Sequence, residues 1–225
     1  MRSLLKGSII SCTMLLCTIG IYAQRKTMLF TPADKDAWHV YTSKSGKGND
    51  PKNVFRIEGN MIHVSGEDFA YIITEKKYSN FKLTVEFKWG DKKYPPRENA
   101  KRDAGILYHV DLYSGDKIWP RSLEYQIQEG DCGDFWMTDS TTIIHNDTLT
   151  TPKNAFNIVK TIDAEKATGE WNIATVIVKE GNITHLLNGK IVNQAKLGNT
   201  REGNIVLQSE GAEIFYRKVQ IEEFN

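Results

Sequence analysis

The chain has 225 residues and is nearly balanced in charge, with 29 Lys+Arg against 28 Asp+Glu and a formal net charge of +1. Nothing in that balance favours a nucleic-acid partner, and the length suits one large domain with a full core. With only Cys12, Cys17 and Cys132 present, no disulfide framework is available.

In chain order, the first element is an N-terminal segment with Arg2 and Lys6, then the apolar run "SIISCTMLLCTIGIYA", then Gln24. A basic start, a hydrophobic middle too short for a comfortable membrane span and the small Ala23 before the cut describe an export signal over residues 1–23. The expected location is periplasmic or secreted. Lipoprotein anchoring at Cys17 is the weaker alternative, because Leu16 is bulkier than the small residue such sites need. Removal of the signal takes away Cys12 and Cys17, leaves Cys132 alone and brings the net charge to about −1. Residues 24–225 are then read as a single domain without internal repeats.

Short runs that alternate polar with apolar residues follow: "VFRIEG", "MIHVSG" and "FAYIITE", then "FKLTVEFKW". In the last, Phe81, Leu83, Val85, Phe87 and Trp89 keep a period of two over nine residues, which a helix would not do. Further runs are "AGILYHV", "SLEYQIQ", "WNIATVIVKE", "NITHLLNGKIVNQ", "GNIVLQSE" and "AEIFYRKVQIEEF". Turn chemistry separates them. "EGN" at 58–60, "KEGN" at 179–182 and above all Asn188-Gly189 put glycine or asparagine where a hairpin needs positive φ. Polar connections at 43–53 and 90–103 are expected to be surface loops, the second able to wall a groove. Residues 131–157 read as irregular. No helical period and no Gly-rich phosphate loop appears, which argues against a nucleotide-binding α/β fold. The expected architecture is all-β, a jelly-roll sandwich of two antiparallel sheets.

The stretch "RSLEYQIQEGDCGDFW" at 121–136 has a second feature. Its period of two sends Leu123, Tyr125 and Ile127 to one side and Glu124, Gln126 and Gln128 to the other. In a sandwich the apolar side faces the partner sheet, and the polar side is then free to form a groove. Carboxamides offer paired donors and acceptors to hydroxyls, and a carboxylate can move a proton. A glycosidase working with two carboxylates needs a second acid near Glu124, and this strand does not supply one. Glu210 in "LQSEG" is a candidate second acid on the groove or a turn residue, and Arg217 is expected to pair with a carboxylate on a neighbouring strand. Trp119, Trp136 and Tyr108 are candidate platforms for sugar rings. Asp131, Asp134 and Asp139 could ligate calcium but match no EF-hand spacing, so no cofactor and no metal site is assigned. Cys132 is expected to be inert.

Taken in order, "FRIEGNMIHVSG", "IITEKKYSNFKLTVEFKW", "RDAGILYHV", "RSLEYQIQEGDCGDFW", "EWNIATVIVKEGNITHLLNGKIV" and "GNIVLQSEGAEIFYRKVQI" resemble the successive motifs of the 3-keto-disaccharide hydrolase family. The resemblance runs from about Leu29 to Phe224. Family members commonly carry Asn-Ser-Gly and an arginine where this chain has Asp103-Ala104-Gly105 and His109. The resemblance implies a concanavalin A-like jelly roll, an exported protein and action on oxidised saccharides, with a 3-keto-forming sugar oxidoreductase upstream. A ketone at carbon 3 acidifies the proton on carbon 2. A base can then remove it, the enolate can expel the group on carbon 1, and water can add. On that chemistry Glu124 is the expected base and His109 the acid or enolate stabiliser, with Gln126, Gln128, Gln208 and Glu210 holding the sugar. The alternative is a non-catalytic carbohydrate-binding module of the same fold. Aglycone, linkage and oligomeric state are not legible in the sequence.

Overall fold

A computed structural model describes residues 26–113 and 115–224. The expected signal segment lies outside the described residues. Alternation in sequence becomes alternation in space in the strand Phe81–Lys93, where Phe81, Leu83, Val85, Phe87 and Trp89 are buried while Lys82, Thr84 and Lys88 are partly exposed. Phe81 and Phe87 are fully enclosed, and removing each ring from water stabilises the fold by about 2 kcal/mol.

Among the described residues there is no α-helix, only a 3₁₀ turn at Lys35–Ala37, and no helix is long and apolar enough to cross a membrane. The strands form two antiparallel sheets. The larger has ten strands, with Asn172–Lys179, Phe81–Lys93 and Ala212–Glu223 adjacent at its centre. The smaller has eight, in the order Ala155–Ile158, Phe135–Thr138, Arg121–Gln128, Asp103–Asp111, Asn204–Ser209, Ala70–Thr74, Trp38–Thr42, Gly46–Lys47. Leu123, Tyr125 and Ile127 from the smaller sheet meet Leu83, Val85, Val176 and Tyr216 from the larger in one apolar core. This is the two-layer jelly roll that the alternating runs imply.

Turns behave as their residues dictate. Asn188 and Gly189 have φ of 51° and 80°, the paired left-handed geometry that joins Asn182–Leu187 to Lys190–Leu197. The stretch 131–157, irregular in sequence, contains three short strands, Phe135–Thr138, Ile143–His145 and Thr148–Leu149, and the start of a fourth, Ala155–Ile158. Strands of two to four residues are too brief to show a period, and pairing defines them: Phe135–Thr138 with Arg121–Gln128 and Ala155–Ile158, Ile143–His145 with Lys190–Leu197, and Thr148–Leu149 with Ile143–His145.

The face of the smaller sheet that points away from the core is not uniformly polar. Tyr71, Ile73, Leu107, Val110 and Val206 form a second, small apolar cluster there, with Leu112 packed against it. The segment after Asp111 lies over this plate: Tyr71 Oη donates to Asp116 Oδ1 at 2.8 Å, and His39 Nε2 is 3.0 Å from the same oxygen. Anchoring this segment sets the position of Lys117 and Trp119, which follow directly.

Candidate active site

Beside that plate, the outward row of the smaller sheet opens into a cavity of ≈650 Å³, a size suited to a small ligand. Its floor comes from alternate positions of neighbouring strands. Glu124 and Gln126 project from Arg121–Gln128, and the antiparallel register places Trp136 opposite Glu124 and Gly105 opposite Gln126. Asp103 enters from the start of the next strand, and Gln128 and Thr138 extend the same face. Glu210 follows the end of Asn204–Ser209. Loops supply Arg97, from the connection before Asp103, Lys117 and Trp119, from the segment anchored by Asp116, and Asp139 and Asn154.

Gly105 is required by space. A Cβ there would overlap both Glu124 Oε1 and Gln208 Oε1, so the two side chains hang over one bare stretch of backbone. Gln208 is 2% exposed, and its Oε1 has no hydrogen-bond partner among the described residues.

Asp103 is the best-connected acid of the cavity. Its Oδ2 accepts from Arg97 Nη2 at 2.6 Å and from Gln128 Nε2 at 2.6 Å, and its Oδ1 accepts from Gln126 Nε2 at 3.1 Å. Glu124 is different. It is 7% exposed, no described cation pairs with it, and burial followed by the neighbouring charges of Glu210 and Asp103 pushes its pKa well above the usual carboxylate range. Glu210 is raised to about 7, first by burial and then by Asp103, while Arg97 and the Trp119 indole, 3.4 Å from Oε1, pull the other way. Like charges crowded in a poorly hydrated site resist ionising together, so Glu124 and Glu210 titrate as a pair that retains a proton to higher pH than either would alone.

The structure brings Glu124, Gln126, Gln128, Gln208, Glu210, Trp119 and Trp136 of the expected site together, with Gln208 buried beside Glu124 over Gly105 and not itself lining the cavity. It does not bring His109 there. A register shift between Tyr108 and Asp111 inserts a residue, His109 takes φ of 50°, and the ring turns to the core side against Phe81 and Tyr108. Its Nε2–H donates to the Ser79 carbonyl at 3.2 Å, Nδ1 lies 3.3 Å from Thr200 Oγ1, and burial lowers its pKa to about 4. Without this β-bulge, strict alternation from Gly105 would put residue 109 on the groove side. Tyr108 is likewise no sugar platform: it is fully buried in the core, with its hydroxyl 2.9 Å from His185 Nε2.

Asp131, Asp134 and Asp139 do not converge. Asp131 accepts from Lys101, Asp134 from Asn157 and the Lys160 backbone, and Asp139 from Tyr113 and Lys117. No group of three or more potential metal ligands occurs among the described residues. Cys132 is buried, its S–H points at the Gln128 carbonyl, and burial pushes the thiol pKa well up. Arg217 pairs with Glu86 on the adjacent strand at 2.6 Å, as expected of it.

Arg97, Asp103, Gly105 and Lys117 were not picked out as site residues by the sequence. For Asp103 a signal existed, since it shares the parity of Gly105 at the head of a strand neighbouring Glu124. For Arg97 and Lys117 there was none, because loop residues have no periodicity from which a direction can be read.

A two-sheet jelly roll with an acid-bearing cavity on the outer face of one sheet is the architecture of glycosyl hydrolase-like and carbohydrate-binding proteins. Within that class the chain belongs to the family of 3-keto-alpha-glucoside-1,2-lyase-like domains, whose family model matches residues 26–222. Among solved structures, it is similar to a candidate glycosyl hydrolase from Parabacteroides distasonis at 21% identity and a TM-score of 0.60, covering 89% of this chain and 94% of that one. It is also similar to LamA from Zobellia galactanivorans in complex with laminaritriose and laminaritetraose, at 13% identity, TM-score 0.56 and coverage of 88% and 98%. A Bacillus licheniformis beta-glucanase shares the fold at 8% identity and TM-score 0.53, over 90% of this chain and 98% of that one. No curated protein matches the chain in sequence. At these identities the likeness is one of fold.

Proposed function

We propose that the protein cleaves 3-keto-glycosides by elimination, with Glu124 and Glu210 dividing the proton transfers between them. The observation that carries this reading is the carboxyl pair itself: two acids in one ligand-sized cavity, each driven by burial and by its acidic neighbours to hold a proton. Of the two, Glu124 is pushed up more strongly, so the reacting form, with Glu124 as the carboxylate and Glu210 as the acid, is the minority placement of the pair's shared proton. Glu124 takes the proton from carbon 2, and the electron pair left behind spreads onto the carbon 3 oxygen as an enolate. The enolate collapses to a carbon 1–carbon 2 double bond, the bond from carbon 1 to the aglycone oxygen breaks, and that oxygen takes the proton of Glu210. Water then adds across the double bond. The acid role expected of His109 passes to Glu210, since the imidazole lies on the core side of the bulge.

Trp119 and Trp136 flank the acids and suit the apolar faces of sugar rings. The N-terminal basic and apolar segment supports an exported protein, and the substrate's ketone requires an oxidoreductase to make it. The family model that matches the chain supports the 3-keto substrate.

Incubation with 3-keto-trehalose and with trehalose tests the reading. Consumption of the oxidised sugar alone is expected, and in deuterated water the released keto sugar should carry deuterium at carbon 2. Binding of either sugar without product would make the protein a carbohydrate-binding module. Asp103 and Glu210 beside Glu124 supply the second carboxylate that the strand itself lacks, so cleavage of both sugars would instead indicate an acid–base glycosidase of unmodified glycans.

A further inference from the structure

We propose that Asp103 is a positioning residue that fixes the polarity of one edge of the cavity: tied down by Arg97, it takes the amide NH₂ groups of Gln126 and Gln128 and leaves both their carbonyl oxygens to accept from two sugar hydroxyls. The inference rests on the reading that the cavity holds a sugar, and it goes further by stating what that edge can recognise.

The geometry leaves little freedom. A carboxamide can present its oxygen or its nitrogen with almost the same shape, so a lone glutamine on a cavity floor reads donors and acceptors alike. A carboxylate removes that choice because it only accepts, and although burial pushes the Asp103 pKa up, the Arg97 guanidinium and the Gln128 amide act to keep it ionised. Asp103 is 5% exposed and lies 3.1 Å from Gln126 Nε2 and 2.6 Å from Gln128 Nε2. Arg97 Nη2, 2.6 Å from the same Oδ2 as Gln128, holds the carboxylate in place from the loop side. Both glutamines line the cavity, and neither carbonyl oxygen has a hydrogen-bond partner among the described residues, whereas both nitrogens are engaged.

The recognised ligand edge is therefore a pair of hydroxyl donors. A carbonyl, an ether or a carboxylate at that edge would meet two acceptor oxygens with a negative charge behind them. The ketone of an oxidised sugar is directed away from the glutamines and toward the Glu124–Glu210 side, and uronic acids are excluded from the edge.

The side-chain amide signals of Gln126 and Gln128 in nitrogen-15 spectra of the full protein test the arrangement without any sugar. Downfield-shifted, exchange-protected NH₂ protons that collapse to free-amide positions in Asp103→Asn are expected. Free-amide positions in the parent protein would overturn the proposal, whatever D103N does. With Glu124→Gln protein, so that no turnover interferes, binding of 3-keto-trehalose and of its 4-deoxy and 6-deoxy forms gives the second readout. The form lacking a recognised hydroxyl should bind about tenfold more weakly, and adding D103N should weaken the complete sugar about tenfold while leaving that deoxy form unchanged. An equal D103N penalty for every sugar would mean that Asp103 acts through its charge alone and would overturn the positioning role. Failure of the parent to consume 3-keto-trehalose, with the amides still ordered, would sink the elimination reading and not this one.

Discussion

Glu124 and Glu86 are the same residue type, each 7% exposed, each on the outward side of a long strand in one of the two sheets. Their surroundings differ completely. Glu86 receives Arg217 Nε and Lys218 Nζ, both at 2.6 Å, and these cations hold its carboxyl below the usual range despite burial. Glu124 faces Glu210 and Asp103 with no cation of its own, and its carboxyl is pushed the other way. Two β-bulges take part in this difference. Between Arg217 and Gln220 a register shift with Lys218 at φ 51° puts consecutive cations on one acid, while the shift at His109 removes a titratable ring from the cavity. Burial alone does not make an acid reactive. A buried acid denied its counter-ion is poised for proton transfer, and one supplied with two cations is a structural pin.

The largest effect that would break this contrast is on turnover. Glu124→Gln should lower kcat on a 3-keto-glucoside by roughly a thousandfold with the melting temperature unchanged or raised, because a crowded acid is removed. Glu86→Gln should leave kcat alone and cost about 1 kcal/mol in chemical denaturation, since its cations are themselves partly in water. Equal kinetic losses in the two variants would end the comparison. Next in size is Gly105→Ala, whose methyl group must displace the Glu124 and Gln208 side chains; a loss of about a hundredfold in kcat/KM is expected, read against far-ultraviolet circular dichroism to confirm the fold.

Glu210 sharpens the comparison through pH. Its folded pKa of about 7 lies above the ordinary 4.5, so the folded protein binds more protons than the unfolded chain and stability falls as pH rises from 4.5 through 7. Glu86 has the opposite sign: its contribution is present above the ordinary value and is lost as acid protonates it. Glu210→Gln should flatten the decline in unfolding free energy between pH 4.5 and 7 and remove the kcat/KM limb near neutrality, as denaturant titrations and pH–rate profiles would show. The smallest effect belongs to His109→Asn, with asparagine chosen because it tolerates a left-handed backbone. It should cost about 1 kcal/mol through the hydrogen bonds lost to Ser79 and Thr200 while kcat changes less than about threefold. A large kinetic loss would return the imidazole to the mechanism.

The alternation in "FKLTVEFKW" and "SLEYQIQ" is a local property of the chain, and so is the Asn188-Gly189 turn; both were legible before any coordinates. From them came the two-sheet fold, the core face at Leu123, Tyr125 and Ile127, and the outward row at Glu124, Gln126 and Gln128. The role expected of His109 came from the chemistry that the family resemblance implies, and it failed because a bulge, which leaves no mark in a strand rich in apolar residues, turns the ring to the core side. The convergence of Asp103, Glu124 and Glu210 was not visible either. These acids stand on three separate stretches of chain whose adjacency is created by hydrogen bonding between strands.

The amino-acid order by itself determined which residues prefer water and with what period, because a strand's two faces are fixed by the geometry of its own backbone. Which buried acid acquired a cation and which was left among other acids was decided only in three dimensions, because charge–charge energies depend on separation through space, and sheet register, bulges and loop anchoring set that separation.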